Sequence, residues 1–387
     1  MKTQLPPTAN TPGATHIDVA EVRALFPGLR DKIYMNTATM NVGCTPAREA
    51  YERAVDGWSA GRFDWLDAER AGDDARSLFA EIVGASAEDV ALIPAVSAAA
   101  GTVAANMPAA KRGENVVVAE REFSSNFFPW LLLRERGYDV RMVPVTGDTI
   151  PADSYAAVAD AGTRLIAVSA VQSATGYRAD LGGLSKVAAR SGAWFFVDAC
   201  QAAGAVDVDV VRDNVDFLAA ASHKFLLGSR GMGYLYVRRA LIEHIHPVLP
   251  GWKAARKPFE SFYGPTMELS PTASKLDTSL AWFAALADRA ALGLFRRFGI
   301  HAVLERNARL SARLHDALIA RLPDFRPFAE QHRSPIVSVP VKDTDATMAR
   351  LRTANVVASV RAGRVRLSLH LYNLDEEIET VVGLLSA

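Results

Sequence analysis

The sequence has little cysteine: Cys44 and Cys200 are its only two cysteines in 387 residues. Two cysteines cannot build a disulfide framework or a zinc site made of cysteines alone, and their scarcity is typical of a reducing compartment. We therefore expect two free thiols, no metal and a cytoplasmic location.

An excess of charge of one sign is also missing, because Lys+Arg and Asp+Glu number 43 each. A chain without a net field has no general attraction for nucleic acid or for an anionic membrane surface. No apolar stretch reaches the roughly 18 residues that span a bilayer. We expect neither kind of partner, and a local site for a small molecule instead.

The first residues, 1–16, are rich in Pro, Thr and Ala and lack the apolar core of a signal peptide, so we predict a disordered tail. The rest of the chain is well supplied with core-forming residues, since half of all residues are hydrophobic. This length and composition predict a large core and a smaller second one.

The middle of the chain alternates short, β-branched apolar runs with helix-like stretches, which predicts βαβ units and a largely parallel sheet. The predicted strands are 90–96, 115–119, 139–145, 164–171, 194–198, 217–221 and 233–237. After about residue 280 the pattern changes to a long helix and a compact α+β set. Its predicted elements are 336–341, 344–353, 356–360, 365–371 and 375–385. We predict a large domain over 17–280 and a small domain over 281–387.

Three local motifs do not carry a function. Residues 57–61 match G-x-S-x-G, but a helix-like stretch precedes them where a hydrolase needs a strand, so we read Ser59 as a loop serine after a helix. The glycines at 228–233 precede a strand and do not open a helix, unlike a dinucleotide fingerprint. His244 and His246 do not share a helix face, which makes them poor metal ligands.

Polar residues follow two of the predicted strands. Asp198 and Gln201 come at and just after the end of strand 194–198, and Ser222, His223 and Lys224 follow strand 217–221. Ligands of open α/β sheets bind at the carboxyl ends of strands, so these residues are placed to meet over one pocket. A simple ion pair between Asp198 and Lys224 is the alternative interpretation.

These motifs resemble the class V, fold type I superfamily of pyridoxal 5′-phosphate (PLP)-dependent aminotransferases, which includes cysteine desulfurases, kynureninases and isopenicillin N epimerase-like enzymes. The matching segments are 197–201 followed by 222–224, with 34–38, 122–126 and 366–373. The resemblance implies a mostly parallel seven-stranded sheet between helices, a small α+β C-terminal domain to which the N-terminal segment contributes, and a homodimer with the cofactor near the subunit interface.

The resemblance also implies residue roles. Lys224 would form the Schiff base and then transfer the proton at Cα of an amino-acid substrate, and Asp198 would keep the pyridine nitrogen protonated. Arg366 would bind the substrate carboxylate, with Asn36 and Ala38 beside it. The remaining cofactor residues would be Ser97, Ala98, Phe123, Gln172, Gln201, Ser222, His223 and, reaching the partner subunit's cofactor, Thr278.

Residues that are absent from the site segments limit the reactions that we expect. Cysteine desulfurases need a mobile cysteine in the loop before the arginine strand, and residues 360–365 contain none. Phe123 also stands where desulfurases commonly place a histidine, and we read Cys200 as a packing residue. We expect transamination or β-elimination, including carbon–sulfur cleavage. An epimerase, a kynureninase-like hydrolase and a non-catalytic protein of the same fold are the alternatives.

Overall fold

The computed structural model describes residues 17–386, so the predicted tail over 1–16 lies outside the described part. The strands are β1 Ile33–Tyr34, β2 Val90–Ile93, β3 Asn115–Ala119, β4 Asp139–Val143, β5 Thr163–Ser169, β6 Trp194–Asp198, β7 Phe217–Ala221, β8 Gly233–Val237, β9 Ile336–Val339, β10 Val356–Val357, β11 Ser359–Arg361 and β12 Arg364–Ser368. The α-helices are α1 Val19–Ala24, α2 Thr45–Ser59, α3 Trp65–Ile82, α4 Val96–Asn106, α5 Phe128–Leu131, α6 Ala152–Val158, α7 Leu181–Ser191, α8 Trp282–Phe298, α9 Ile300–Arg321, α10 Thr344–Thr353 and α11 Asp375–Ser386.

A seven-stranded sheet with the order β2-β8-β7-β6-β5-β3-β4 forms the centre of the molecule. The neighbouring pairs from β7 to β4 are parallel, and only β8 runs antiparallel to both of its neighbours. The predicted mostly parallel sheet is thus confirmed. Its parallel strands bring their carboxyl ends to one edge, which is where a ligand site forms in such sheets.

Both faces of this sheet are covered, as a parallel sheet requires. Alternate residues of β3 belong to different cores, because successive strand side chains point to opposite faces. Val117 belongs to one core with Phe79 and Phe295, whereas Val116 belongs to the other with Trp130. Helices α3 and α8 thus cover one face, and α5 covers the other.

A second, three-stranded sheet is antiparallel with the order β11-β12-β9. Its core includes Leu367 on β12 and Leu310 on α9, and Met35 of the N-terminal segment joins them. The backbone of the N-terminal segment also pairs with the C-terminal part of the chain, since β1 is parallel to β10. The N-terminal segment therefore packs with the small C-terminal unit.

The long helices after residue 280 connect the two cores. Leu292 and Phe295 of α8 are buried with the large sheet, and so is Val303 at the start of α9. Leu314 and Leu318, later in α9, are buried with the small sheet. Packing thus groups α8 with the large unit, while the division at residues 280 and 281 stays a prediction.

Besides shifts in the bounds of β4, β5, β9 and β12, three predicted local elements differ from the structure. The strand predicted over 90–96 ends at Ile93 because Pro94 has no N–H for the ladder, and α4 begins at Val96. The strand predicted over 356–360 is divided into β10 and β11, which pair with different strands. Ser59 is the last residue of α2 and does not lie in a loop, and the residues directly before it form a helix and not a strand.

Within residues 17–386, no helix combines the length and the apolar composition needed to cross a bilayer. The same part of the chain holds no cluster of three or more His, Cys, Asp and Glu side chains that is arranged to bind a metal ion.

Candidate active site

The predicted site residues converge at the carboxyl edge of the large sheet. Asp198 is the last residue of β6, and it pairs with Ala219 of β7, a few residues before Lys224. A cavity of about 330 Å³ opens at this edge. The predicted residues that line it are Ala38, Phe123, Asp198, Gln201, His223, Lys224 and Arg366.

Lys224 lies in a tight loop that follows β7. Backbone hydrogen bonds close this loop, with Gly228 N donating to Ser222 O at 3.0 Å and Asn41 N donating to His223 O at 3.0 Å. The Lys224 Nζ lies 5.5 Å from the ring centroid of Phe123, which is 50% exposed. Within residues 17–386, no carboxylate lies within 4.0 Å of this ammonium group. The amine is therefore left available for chemistry, with an aromatic face above it.

Asp198 is buried, with 3% of its surface exposed, and its Oδ1 accepts a hydrogen bond of 2.8 Å from Cys200 N. Burial raises the pKa of this carboxyl, while the Cys200 amide and the charge of Lys224 act in the opposite direction. Asp198 and Lys224 do not form an ion pair, although Lys224 is close enough to affect the carboxyl. The geometry leaves a buried carboxylate that has no cationic partner in the described chain.

The first turn of α4 supplies a place for an anion. Ala95 and Val96 line the cavity where α4 begins, and Ser97 is exposed in that first turn beside the half-buried Ala98. A helix N-terminus favours negative charge because its first N–H groups lack partners within the helix. Ser97 and Ala98 themselves do not line the cavity, but their amides belong to this turn.

His223 and Arg230 line the same cavity. Burial, followed by the charges of Lys224 and Arg230, lowers the pKa of His223 to about 4. The imidazole is therefore neutral near pH 7 and can donate one hydrogen bond. Arg230 was not among the predicted site residues, since an exposed arginine in a glycine-rich loop has no distinguishing sequence pattern.

Arg366 reaches the cavity from β12 with only 2% of its surface exposed. Its Nη2 donates to Thr39 Oγ1 at 2.6 Å, its Nη1 to Ser173 O at 2.6 Å and its Nε to Ser359 Oγ at 3.2 Å. No carboxylate lies within 4.0 Å of it in the described chain, and burial followed by the nearby Arg361 lowers its pKa to about 10. A buried guanidinium without an anion is suited to bind a carboxylate.

Ala38 and Gln201 join the N-terminal segment to the site. Ala38 N donates to Ser368 Oγ at 2.9 Å, and Gln201 Nε2 donates to Ala38 O at 3.0 Å. The Oε1 of Gln201 is buried without a hydrogen-bond partner. Asn36 is half-buried and bridged to Ser368, and its Oδ1 is likewise unpartnered.

Besides Ser97 and Ala98, three further predicted cofactor residues do not line the cavity. Gln172 is buried and donates from Nε2 to Glu122 Oε1 at 2.7 Å. Ser222 is fully buried, and its Oγ faces the region of Gly228 and Asp288. Thr278 is half-buried, and its backbone N donates to Leu92 O at 3.3 Å. Their cofactor roles remain predictions.

Glu122 lies in the predicted site segment 122–126, although no role was predicted for it. Its carboxylate accepts hydrogen bonds from Ser169 N at 2.8 Å, from Gln172 Nε2 at 2.7 Å and from Asn126 Nδ2 at 3.2 Å. Ser169 lines the cavity and pairs with Asp198 across the strands. Burial raises the pKa of Glu122. The only available sequence signal was an acid directly before Phe123.

Asp288 supports the Lys224 loop from α8. It accepts hydrogen bonds from Ser229 N at 2.6 Å and Tyr234 Oη at 2.8 Å, and burial raises its pKa to about 6. A Cβ at position 228 would collide with this carboxylate and with Ser222 Oγ, so only glycine fits there. Nothing in the sequence pattern of α8 distinguishes Asp288 from a surface acid.

Comparison with known proteins assigns the family. The model of the family described as Aminotransferase class-V matches residues 65–381, which is more than half of the chain. The chain belongs to the class-V aminotransferase family. It is therefore a PLP-dependent enzyme, a transferase or lyase, as predicted from the Lys224 and Asp198 segments.

Relatives of this class-V enzyme carry several names. An uncharacterized aminotransferase, YcbU, of Bacillus subtilis is 27% identical and covers 95% of this chain and 97% of its own length. A probable cysteine desulfurase of Methanothermobacter thermautotrophicus is 28% identical, covering 93% and 95%. The cystine C–S lyase C-DES, solved with cysteine persulfide, is 22% identical with a TM-score of 0.82, covering 93% and 99%. A C-DES mutant was solved with glycine covalently linked to its PLP cofactor, at the same identity and TM-score. These structures support the predicted fold type I architecture.

The residues at the sheet edge fit PLP. Asp198 is a buried carboxylate suited to the pyridine nitrogen, and Phe123 leaves an aromatic face exposed above Lys224. The first turn of α4 and the neutral His223 offer donors for a phosphate. The unpartnered Oε1 of the buried Gln201 also leaves a polar atom at the site to be satisfied.

Proposed function

We propose that this class-V enzyme acts at Cα of an amino-acid substrate, by transamination or by β-elimination, with Lys224 as the residue that binds the cofactor covalently and moves the proton. One observation supports this most strongly. Lys224, Asp198 and Arg366 line a single cavity, and none of the three forms an ion pair within 4.0 Å in residues 17–386.

When bound, PLP withdraws electrons from the substrate Cα and so makes the Cα–H bond acidic. The residues of the chain would bind the substrate, hold the cofactor and transfer the proton. Arg366 holds the substrate carboxylate with its two-pronged guanidinium. Lys224 would hold the cofactor covalently, and its amine, when free, would lie beside Cα and remove or return the proton there. Asp198 would keep the pyridine nitrogen protonated, and Phe123 would cover the ring and exclude water.

Desulfurase chemistry is not part of the proposal, although several relatives carry that name. The β11–β12 hairpin pairs Arg361 with Arg364, so only Ala362 and Gly363 connect the two strands. This turn has no cysteine and no length for a mobile loop. Burial and then the charge of Asp198 raise the pKa of the Cys200 thiol to about 12, and Cys44 is fully buried. Neither thiol is suited to attack the substrate sulfur.

The products formed from a panel of L-amino acids test this proposal. The purified, PLP-loaded enzyme should convert at least one of them to its keto acid, or to pyruvate and ammonia, as measured by mass spectrometry. Formation only of the inverted amino acid would favour the epimerase alternative, and anthranilate from kynurenine would favour the hydrolase. Alanine with persulfide from cysteine would overturn the exclusion of desulfurase chemistry.

We also propose a homodimer, supported by an aromatic patch on the surface of the protein. The patch consists of Trp65, Trp252, Phe259, Phe262 and Trp282, whose neighbouring ring centroids lie 5.1 to 6.5 Å apart. Phe259 is 53% exposed and the nearby Tyr263 is 97% exposed. Exposed apolar clusters of this kind mark protein interfaces. A second copy of the chain would cover the patch and bring Thr278 near the partner's cofactor.

Light scattering of the PLP-loaded enzyme at micromolar concentration should give the mass of two chains. Phe259→Asp, which places a charge in the patch, should shift the mass toward one chain, because a buried unpaired carboxylate is costly. Ile319→Asp changes a residue of α9 that is 47% exposed outside the patch, and it should leave the dimer intact. A wild-type mass of one chain would contradict the proposal. A cytoplasmic location likewise remains a prediction.

A further inference from the structure

The β11–β12 hairpin places three arginines on one face. Arg361 pairs with Arg364, and Ser359 pairs with Arg366 across the hairpin. Paired residues of antiparallel strands share a face, and so do residues two apart along a strand. The face that carries Arg366 therefore also carries Arg361 and Arg364, which concentrates three guanidinium groups beside the cavity.

Only one of these three charges is neutralised. Arg364 forms an ion pair with Asp148, whose Oδ2 lies 2.5 Å from its Nη1. No carboxylate lies within 4.0 Å of Arg361 or of Arg366 in the described chain. Two unpaired guanidinium groups thus share one end of the site.

Arg361 and Arg366 converge on the same atom. The Nη2 of Arg366 donates to Thr39 Oγ1 at 2.6 Å, and the Nη2 of Arg361 donates to it at 3.4 Å. Thr39 itself lines the cavity with both arginines. Because like charges repel, this arrangement is favourable only when anions occupy the space between and beside them.

The anions expected in the site do not account for both arginines. The phosphate of the cofactor belongs at the first turn of α4, where Ala95 and Val96 line the cavity. An amino-acid substrate has one α-carboxylate, which Arg366 binds from its buried position. Among the residues that line the cavity, Asp198 is the only acid, and it is needed at the cofactor ring. Arg361 is left with no anion.

Building on the proposed function, we propose that the substrate is an amino acid whose side chain carries an acidic group, a carboxylate or a sulfinate, and that Arg361 binds that group. Arg361 is exposed at the end of β11, so it lies where a substrate side chain would extend from Cα toward solvent. It is a specificity residue and takes no part in the proton transfer.

Kinetics with paired substrates test this inference. The wild-type enzyme should prefer aspartate, glutamate or cysteine sulfinate over asparagine and glutamine in kcat/KM. The preference should be about tenfold or more, as a charge-assisted hydrogen bond supplies. In Arg361→Gln it should fall to near unity, through a higher KM for the acidic substrate alone. Arg364→Gln is the matched control, since this arginine shares the hairpin face but is paired with Asp148, and it should keep the preference.

Binding provides a readout that is independent of turnover. Calorimetry on the PLP-loaded enzyme should show succinate or glutarate binding about tenfold more tightly than butyrate, with this difference lost in Arg361→Gln and kept in Arg364→Gln. Equal use of acidic and amide substrates by the wild type would overturn the inference. So would an equal loss for both substrates in Arg361→Gln, which would place Arg361 on the α-carboxylate with Arg366. Both results leave the proposed function standing, whereas a failure to act on any amino acid contradicts the proposed function itself.

Discussion

Lys224→Ala should give a folded protein that binds PLP without a covalent bond and whose turnover is lower by about a thousandfold, as expected when a general acid–base group is removed. Lys224 is the only lysine among the residues that line the cavity. Borohydride reduction followed by mass spectrometry of the intact protein measures the covalent bond. Wild-type protein should retain the mass of the reduced cofactor, and the variant should lose it.

The control for this prediction is Lys186→Ala, which removes an exposed lysine from α7. It should retain both the borohydride label and the wild-type turnover. Melting curves of both variants check that the fold persists. A borohydride-stable label on Lys224→Ala would show that another amine binds the cofactor, and the assignment of Lys224 would then be wrong.

The large sheet could be predicted because most of its strands are almost completely buried and therefore form continuous apolar runs in the sequence. Strands 115–119, 194–198, 217–221 and 233–237 have the predicted bounds. Asp198 and Lys224 followed from the same pattern, because parallel strands end at one edge. The hydrophobic pattern shows where a strand ends, and the residues directly after that end can therefore be placed at the edge of the sheet.

Beyond the strand ends, local sequence no longer determines side-chain direction. Ser222 and His223 are adjacent in sequence, yet only His223 lines the cavity, because the loop turns Ser222 toward Gly228. Gln172 follows β5, but its side chain donates a hydrogen bond to Glu122, a residue distant in sequence. Such placements depend on tertiary contacts that no single segment contains.

Arg361 shows a second limit. The strand prediction 356–360 stopped one residue before it, and an arginine at the end of an exposed strand is normally a solvated surface residue. Its proximity to Arg366 depends on the register of the hairpin, which the two-residue turn sets. The sequence could therefore identify the buried arginine of the site, but not the exposed one beside it.

Asp198→Asn should lower turnover without lowering the stability of the protein. The carboxylate is buried and accepts a hydrogen bond from Cys200 N, but no cation lies within 4.0 Å of it in the described chain. Burial is the largest cause of its raised pKa, so the charge is costly in the protein without cofactor. Asparagine has nearly the same shape and no charge. The melting temperature of the variant should therefore be equal to that of the wild type or higher.

Turnover should respond in the opposite direction. Asparagine cannot hold a proton on the pyridine nitrogen by charge, so the Cα–H bond of the substrate becomes less acidic. Removal of a charge that acts in the transition state should cost on the order of 3 kcal/mol, or roughly a hundredfold in rate. Single-turnover product formation, normalised to bound cofactor, measures this loss. PLP should still bind, because Lys224 and the phosphate donors are unchanged.

Asp216→Asn provides the matched control, because Asp216 is a structural acid directly before β7. Its carboxylate accepts a hydrogen bond from Phe195 N at 2.8 Å and forms an ion pair with Arg238 at 2.7 Å. This variant should have a lower melting temperature, since it leaves Arg238 without its partner, and unchanged turnover per PLP-loaded molecule. If Asp198→Asn behaved in the same way as Asp216→Asn, Asp198 would be a structural residue and the proposed role at the pyridine nitrogen would be wrong.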